Sequence, residues 1–210
     1  MTPAVNLIIR DAHPADHPQV VEVLAAAFTD GPIARWLDPN PASRPEHSHA
    51  YFTAVVAQTG AYGSIRVAQE YEGIVAAALW LPHPLAVAEP AQTTAPQHHE
   101  AGVPDGDVAR RMHTLELLLE SRHPPEAHHH LAFLGVRPDR QNLGIGSYLL
   151  TQHHGHLDAI GIPAYLEAND PRNHALYLRH GYTDVGSPLV VTLTGNPVWP
   201  MWRNPRLGRP

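Results

Sequence analysis

The stretch LAFLGVRPDRQNLGIGSYLL, residues 131–150, decides the fold because it joins a strand, a tight loop and a helix. Residues 131–136 form an apolar run that predicts a buried strand. Residues 141–146 read as a glycine-bearing loop, and residues 147–157 as a helix. The first turn of a helix has unpaired N–H groups and a partial positive charge, which together bind phosphate. The stretch therefore predicts a site for the pyrophosphate of a nucleotide-containing cofactor.

The loop carries Gly144 and Gly146, whose missing side chains allow a ligand to approach the backbone closely. Two glycines alone are equally typical of a structural turn, so the prediction depends on the strand before them and the helix after them. The rival interpretation is a dinucleotide fingerprint, which needs a third glycine and an acidic residue at the end of the next strand. Leu149 stands where that glycine would fall, whereas Glu167 could serve as the acidic residue. A nicotinamide-dependent dehydrogenase is therefore the weaker alternative.

Apolar spacing extends the prediction to the rest of the chain, as one domain over residues 1–210. Helices are predicted over residues 19–28, 33–37, 46–60, 107–120, 147–157 and 173–180. Strands are predicted over residues 5–10, 65–70, 74–81, 131–136, 163–168, 182–185 and 189–193, with a closing edge in the tail from residue 196. Residues 82–104 and 123–130, rich in proline and histidine, are predicted to be a mobile loop and a linker. This order predicts a mixed α/β sheet with a βαβ crossover at its centre.

Composition excludes several classes of function. The chain has no cysteine, which removes disulfides, thiolate metal sites and cysteine nucleophiles and is compatible with a reducing, cytoplasmic setting. All 14 basic residues are arginine, so lysine bases and Schiff bases are excluded. A formal charge of −6 argues against nucleic-acid binding, and no apolar run is long enough to predict a membrane span.

Two blocks of sequence carry a family resemblance. VRPDRQNLGIG, residues 136–146, fits the pattern V-x-P-x-x-Q/R-x-x-G-x-G/A, and PRNHALY, residues 171–177, is followed by Gly181 and Tyr182. Together they resemble the GCN5-related N-acetyltransferase (GNAT) superfamily. Asn142 departs from the glycine that is common there, and Tyr182 replaces the usual phenylalanine.

The chain is most similar in pattern to puromycin N-acetyltransferase-like proteins. They share its AAAF-x-D block, residues 25–30, and an apolar strand that ends near Trp80. The resemblance implies a GNAT fold, in which helices flank a mixed, mostly antiparallel central sheet with a central strand, pyrophosphate loop and helix. It also implies transfer of an acetyl group from acetyl-CoA to an amine of a small molecule, directly within a ternary complex.

The resemblance assigns cofactor contacts to the central strand, the loop and two helix starts. These residues are Leu134, Val136, Gln141, Asn142, Leu143, Gly144, Ile145, Gly146, Ser147 and Asn173. The residue-for-residue match implies that Tyr177 is the general acid near the cofactor sulfur. A phenol can serve as an acid there, because it is protonated at neutral pH. A buried aromatic residue on an amphipathic helix is the structural alternative for Tyr177.

The general base is less well defined than the acid. Glu167 ends its predicted strand where an acceptor amine could lie, and it could take a proton through a water molecule. Its alternative role is a surface hydrogen bond, and His130 and His113 are the other candidate bases. The candidate substrate residues are Asp30, Trp36, Tyr51 and Trp80, although aromatic residues more often belong to the core.

The 17 histidines raise the question of a metal site. Residues 128–130 would alternate between the two faces of a strand, and His153 and His154 diverge on a helix, so no metal site is predicted. The predicted partners are a small-molecule amine and acetyl-CoA, in a monomer or a homodimer. The competing prediction is a non-catalytic GNAT-fold module that binds CoA or a partner.

Overall fold

An open sheet with helices on both faces forms the frame of the molecule in the computed structural model, which describes residues 7–84, 106–191 and 197–206. The strands are β1 (Ile8–Asp11), β2 (Ser64–Glu70), β3 (Gly73–His83), β4 (His128–Val136), β5 (Ala164–Ala168), β6 (Thr183–Asp184), β7 (Leu189–Val190) and β8 (Pro197–Arg203). The helices are α1 (His17–Phe28), α2 (Pro32–Leu37), α3 (Arg44–Tyr62), α4 (Asp107–Glu120), α5 (Ile145–Ile160) and α6 (Pro171–Arg179). None of these helices has the length and apolar character needed to cross a membrane.

The strand order is β1-β2-β3-β4-β5-β8-β6, with β7 also paired to β8. All pairs are antiparallel except β4 with β5, which α5 joins as a parallel crossover. The parallel pair is short: His129 lies opposite Ala164 and His130 opposite Tyr165, and beyond these residues the two strands are no longer paired. This confirms the predicted fold class and opens a gap in the middle of the sheet.

Two cores lie on opposite faces of the sheet. Helices α5 and α6 cover one face, and α1 and α3 cover the other. Helix α5 turns its buried side chains inward at spacings of three and four residues, at Ile145, Leu149, Leu150, His153, His154 and Leu157. On the other face a Cβ at Gly135 would lie 2.8 Å from Leu24 Cδ2, so glycine lets α1 pack close against β4.

A β-bulge in β4 changes which side chains face each core. Leu79 lies opposite Phe133, but the next residue of β3, Trp80, lies opposite Leu131, so Ala132 is the extra residue. Residues two apart normally share a face, yet Leu131 packs with α5 and Phe133 packs with α1 and α3. The bulge therefore turns Phe133 toward the α1–α3 face.

Three predicted features need correction. Strand β4 begins at His128, so residues 128–130 are not linker as predicted, because His128 and His129 pair with β3. The tail is not an edge, since β8 lies between β5 and β6. The strands predicted over residues 182–185 and 189–193 are shorter than predicted, because β6 and β7 have two residues each. The predicted loop over residues 82–104 lies mostly outside the described residues.

A buried ion pair ties β8 to the end of α5. Arg203, which is 3% exposed, donates two hydrogen bonds of 2.7 and 2.8 Å to the carboxylate of Asp158. These hydrogen bonds hold the pKa of Asp158 below its usual value, against the opposing effect of burial. The pair therefore stabilises the fold above the ordinary carboxyl pKa of about 3.9, and this contribution is lost as the pH falls through the lower value in the folded state.

We expect Asp158→Ala to lower the free energy of unfolding by about 3 kcal/mol, because it leaves the Arg203 guanidinium buried without its counterion. Urea denaturation at pH 7 measures this difference. Asp107→Ala is the matched control, because Asp107 pairs with Arg110 on the exposed surface, where such pairs contribute less than about 1 kcal/mol. Equal effects of the two substitutions would contradict the expected role of burial.

Candidate active site

A cavity of about 770 Å³ lies where β4 and β5 diverge. The loop before α5, the end of β5 and the start of α6 line part of this cavity. Side chains of α1, α2, α3 and α4 line the rest. The cavity therefore joins the predicted pyrophosphate loop to the opposite face of the sheet.

The loop before α5 has a backbone suited to an anion. Gly144 caps the helix in the left-handed region, with φ 81°, and Asn142 also has a positive φ of 65°. No backbone N–H of residues 142–147 donates a hydrogen bond to another described residue. Gln141 closes the loop, because its Nε2 donates to the carbonyl of Val136 at 3.1 Å. Unpaired N–H groups beside a left-handed residue at a helix start form an anion-binding concavity.

Two neighbouring residues also fit a pyrophosphate. A Cβ at Gly146 would meet only Val136 and Leu134, at ordinary distances of 3.6 and 3.7 Å, so packing within the protein does not require glycine there. The guanidinium of Arg172 donates to Asn142 Oδ1 and lines the cavity beside the loop. Arg172 places a positive charge beside the loop, and the sequence analysis did not name this residue.

The predicted cofactor residues lie together with one exception. Nine of the ten line the cavity: Leu134, Val136, Gln141, Asn142, Gly144, Ile145, Gly146, Ser147 and Asn173. Leu143 is 66% exposed and does not line it, although its backbone belongs to the same loop. The Ser147 hydroxyl shares a hydrogen bond of 2.6 Å with His180 Nε2.

The left-handed backbone at Asn142 explains why this position commonly holds glycine, and why asparagine is tolerated there. We expect Asn142→Val to destabilise the fold by about 1 to 2 kcal/mol, because a β-branched residue is strained at positive φ. Asn142→Gly should leave stability nearly unchanged, and thermal unfolding of both variants measures the difference. If both variants unfold at the same temperature, backbone strain does not control this position.

Glu167 points toward the cavity and pairs with a histidine. His130 Nε2–H donates to Glu167 Oε2 at 2.8 Å, and the side chains are 20% and 11% exposed, respectively. Burial alone would raise the pKa of Glu167, but the charge of His130 and its hydrogen bond outweigh burial, so the pKa lies below its usual value. Glu167 is therefore ionised at neutral pH, with one oxygen held by His130.

Three further histidine rings form a cluster beside this pair, with His123 nearest to His130. The ring of His123 lies 5.0 Å from His130, 4.6 Å from His83 and 5.0 Å from His128. Burial lowers the pKa of His123 and of His128 to about 4, so both rings are neutral at pH 7. Among the described residues, no group of histidine and acidic side chains has a geometry that would hold a metal ion.

Tyr177 lies on α6, one turn after Asn173, and both residues line the cavity. Asp170 fixes the start of this helix, because its side chain accepts hydrogen bonds from the N–H groups of Arg172 and Asn173. Tyr177 is 8% exposed, and burial raises its pKa above the usual value of about 10. Its phenol therefore stays protonated at neutral and moderately alkaline pH.

The structure separates the candidate substrate residues from the cavity, except for Tyr51. Trp80 is fully buried and its ring stacks on His153 at 4.0 Å, which gives it a packing role. Trp36 is 8% exposed and packs with β7 and β8, while the side chain of Asp30 is 80% exposed and contacts Arg44. Among the candidate bases, His130 is hydrogen-bonded to Glu167, and His113 lies on the exposed side of α4.

Aromatic residues from three elements line the other part of the cavity. Phe28 of α1, Tyr51 and Phe52 of α3 and Phe133 of β4 form one cluster, with ring centroids 5.1 to 6.0 Å apart. Of these four residues, the sequence analysis named only Tyr51 as a candidate substrate residue. Tyr51 and Phe52 are consecutive residues of α3, a spacing that does not place side chains on one helical face, and nothing in the sequence shows that Phe28 and Phe133 meet them.

Residues 112–184 match the family model described as an acetyltransferase (GNAT) domain. The whole chain is similar to the histone acetyltransferase HPA2 and related acetyltransferase from Corynebacterium glutamicum, with 25% identity, a TM-score of 0.70 and coverage of 97% of this chain and 99% of that one.

Two structures with lower identity share the fold. Arylalkylamine N-acetyltransferase 2 from Aedes aegypti has 12% identity, a TM-score of 0.67 and coverage of 96% and 100%. The ribosomal-protein-S18-alanine N-acetyltransferase from Escherichia coli has 15% identity, a TM-score of 0.57 and coverage of 97% and 96%. Residues 112–184 are therefore similar to an acetyltransferase (GNAT) domain, and the whole chain shares its fold with these acetyltransferase structures.

Proposed function

We propose that this protein transfers an acetyl group from acetyl-CoA to an amine of a small molecule, directly within a ternary complex. The observation that carries the proposal is a single cavity, lined at one place by the loop before α5 and at another by Glu167 and Tyr177. The pattern shared with puromycin N-acetyltransferase-like proteins supports a small-molecule acceptor. The similar structures act, by their names, on both small amines and proteins.

The cofactor would be held by the loop and by β4. N–H groups of residues 142–147 and the guanidinium of Arg172 would bind the pyrophosphate. The backbone of Leu134 and Val136 lies beyond the paired part of β4 and β5, so its free edge would pair with the pantetheine arm like a further strand. The side chain of Asn173 would contact the same arm from α6.

Acetyl-CoA supplies a thioester whose C–S bond breaks as a C–N bond forms to the amine. A bound ammonium would first lose one proton to water, and Glu167 would take the second proton from the nitrogen as the C–N bond forms, directly or through a water molecule. The Tyr177 hydroxyl would give one proton to the departing sulfur, and its raised pKa keeps that proton available. His130 holds Glu167 in place and favours its ionised form.

Calorimetry with CoA and with NAD tests the cofactor, and release of CoA from acetyl-CoA in the presence of amines tests the reaction. The chain has no cysteine, so a thiol-reactive dye reports free CoA without a background from the protein. We expect CoA to bind, NAD not to bind, and at least one small amine to be acetylated. Binding of CoA without turnover of any amine would instead favour a non-catalytic module, and binding of NAD alone a dehydrogenase.

A further inference from the structure

We propose that the acceptor is a monoamine carried on an aromatic group, whose ring packs against Phe28, Tyr51 and Phe133. This inference rests on the proposed function and names the substrate class of the same site. It starts from the burial of the four clustered rings. All four rings line the cavity; Phe52 is 4% exposed and forms the back of the cluster, whereas the other three are only partly buried.

The ring geometry suits another aromatic ring. Phe133 stands nearly perpendicular to Phe28, Tyr51 and Phe52, with interplanar angles of 76° to 86°. Aromatic rings prefer edge-to-face and offset contacts at 4.5 to 7 Å, so a ligand ring would extend a pattern that is already present. Helix α4 adds an apolar wall, because Val108, Met112 and Leu115 also line the cavity.

The β4 bulge places Phe133 on the same face of the sheet as Glu167, the proposed base. His130 and Glu167 are hydrogen-bonded partners across β4 and β5, and the bulge at Ala132 turns Phe133 toward α1 and α3. Tyr165 and Glu167 are two residues apart on β5 and share a face, and the ring of Tyr165 lies 5.5 Å from that of His130. An amine at Glu167 would therefore carry its aromatic group toward Phe133.

The charges that line the cavity favour a single ammonium group. Among the described lining residues, the acidic side chains are Asp38, Glu167 and Asp170. Asp170 caps α6, and Asp38 accepts hydrogen bonds from His47, Ser43 and the N–H of Asn40. Both oxygens of Asp38 are occupied by these hydrogen bonds, whereas His130 donates to Oε2 of Glu167, so Glu167 is the carboxylate proposed for a substrate ammonium and the further charges of a polyamine would find no partner.

Turnover and binding across a panel of amines test this inference. The panel contains phenethylamine, tryptamine, n-butylamine, spermidine and a short peptide with a free N-terminus. We expect kcat/KM for phenethylamine to exceed that for n-butylamine by at least about tenfold, because a pocket discriminates by about 10 to 200-fold for each methylene-sized difference. Phe133→Leu should lower kcat/KM for phenethylamine by about tenfold and leave n-butylamine within about twofold.

Tyr71→Leu is the matched control, since Tyr71 is fully exposed in the turn between β2 and β3. CoA affinity, measured by calorimetry, shows that each variant is folded. If spermidine, n-butylamine or the peptide is acetylated as well as phenethylamine, the inference is overturned and acetyl transfer stands. If phenethylamine binds the CoA complex, loses affinity in Phe133→Leu and is never acetylated, the aromatic site stands and the proposed reaction fails. Absence of any binding by aromatic amines overturns the inference.

Discussion

The Tyr177→Phe variant is expected to lose about 100-fold in kcat, because general acid catalysis contributes 10²-fold or more and phenylalanine has no proton to give to the departing sulfur. The substitution keeps the ring that packs against Tyr182 at 5.7 Å, so stability and CoA affinity should change little. Single-turnover release of CoA measures the chemical step, and calorimetry measures the affinity. A variant as fast as the wild type would refute the assignment of Tyr177 as the acid.

The pH profile of the wild-type enzyme gives a second test of Tyr177. Burial raises the pKa of this phenol, so its proton is retained up to and beyond the ordinary value of about 10. We therefore expect kcat to show no alkaline decline below about pH 10. A decline centred near pH 8 would show that another group with a lower pKa supplies the proton.

Replacing Glu167 by glutamine should lower kcat/KM by about 100-fold or more, since the amide cannot accept a proton from the amine. The acid limb of the pH profile of kcat/KM gives a second test of Glu167. Because the charge and hydrogen bond of His130 hold the pKa of Glu167 below its usual value, the carboxylate stays ionised at neutral pH, and the acid limb of kcat/KM should lie below that of an ordinary glutamate.

In a His130→Gln variant, the charge that lowers the pKa of Glu167 is removed, while burial continues to raise it. The acid limb of kcat/KM should then move to higher pH, whereas a purely structural role would lower the rate equally at every pH. His156→Gln is the control, because His156 is exposed on α5. An unchanged limb in His130→Gln would contradict the proposed positioning role of His130.

The sequence predicted those elements whose apolar pattern is local and strong. Helix α4 spans residues 107–120 as predicted, and the hairpin of β2 and β3 differs from its prediction by no more than two residues at each end. The start of β4 was missed because three consecutive histidines resemble a polar linker. They belong to a strand because His128 and His130 lie beside Tyr165, a contact that no local pattern shows.

The candidate site likewise contains residues that short sequence blocks could identify and residues that only the folded chain brings together. The loop around Gly144 and the pair Asn173 and Tyr177 come from two short blocks, so family resemblance could place them. The aromatic cluster of Phe28, Tyr51, Phe52 and Phe133 comes from α1, α3 and β4, which meet only in the folded chain. Trp80 was a candidate substrate residue, but the structure places it in the core. Its strand is buried on both faces of the sheet, so the sequence does not show which face an aromatic residue near the end of the strand occupies.

The extra residue in β4 has a consequence for how this chain can vary. Ala132 is the extra residue of the bulge, so Leu131 and Phe133 on either side of it face opposite cores, while Leu134 and Val136 face the side of α5. Deletion of Ala132 would remove the bulge and leave the later side chains on their present sides, whereas insertion or deletion of one residue in a regular part of the strand would exchange the sides of the residues that follow. Ala132 is therefore the position of β4 at which a change in length should disturb the two halves of the cavity least.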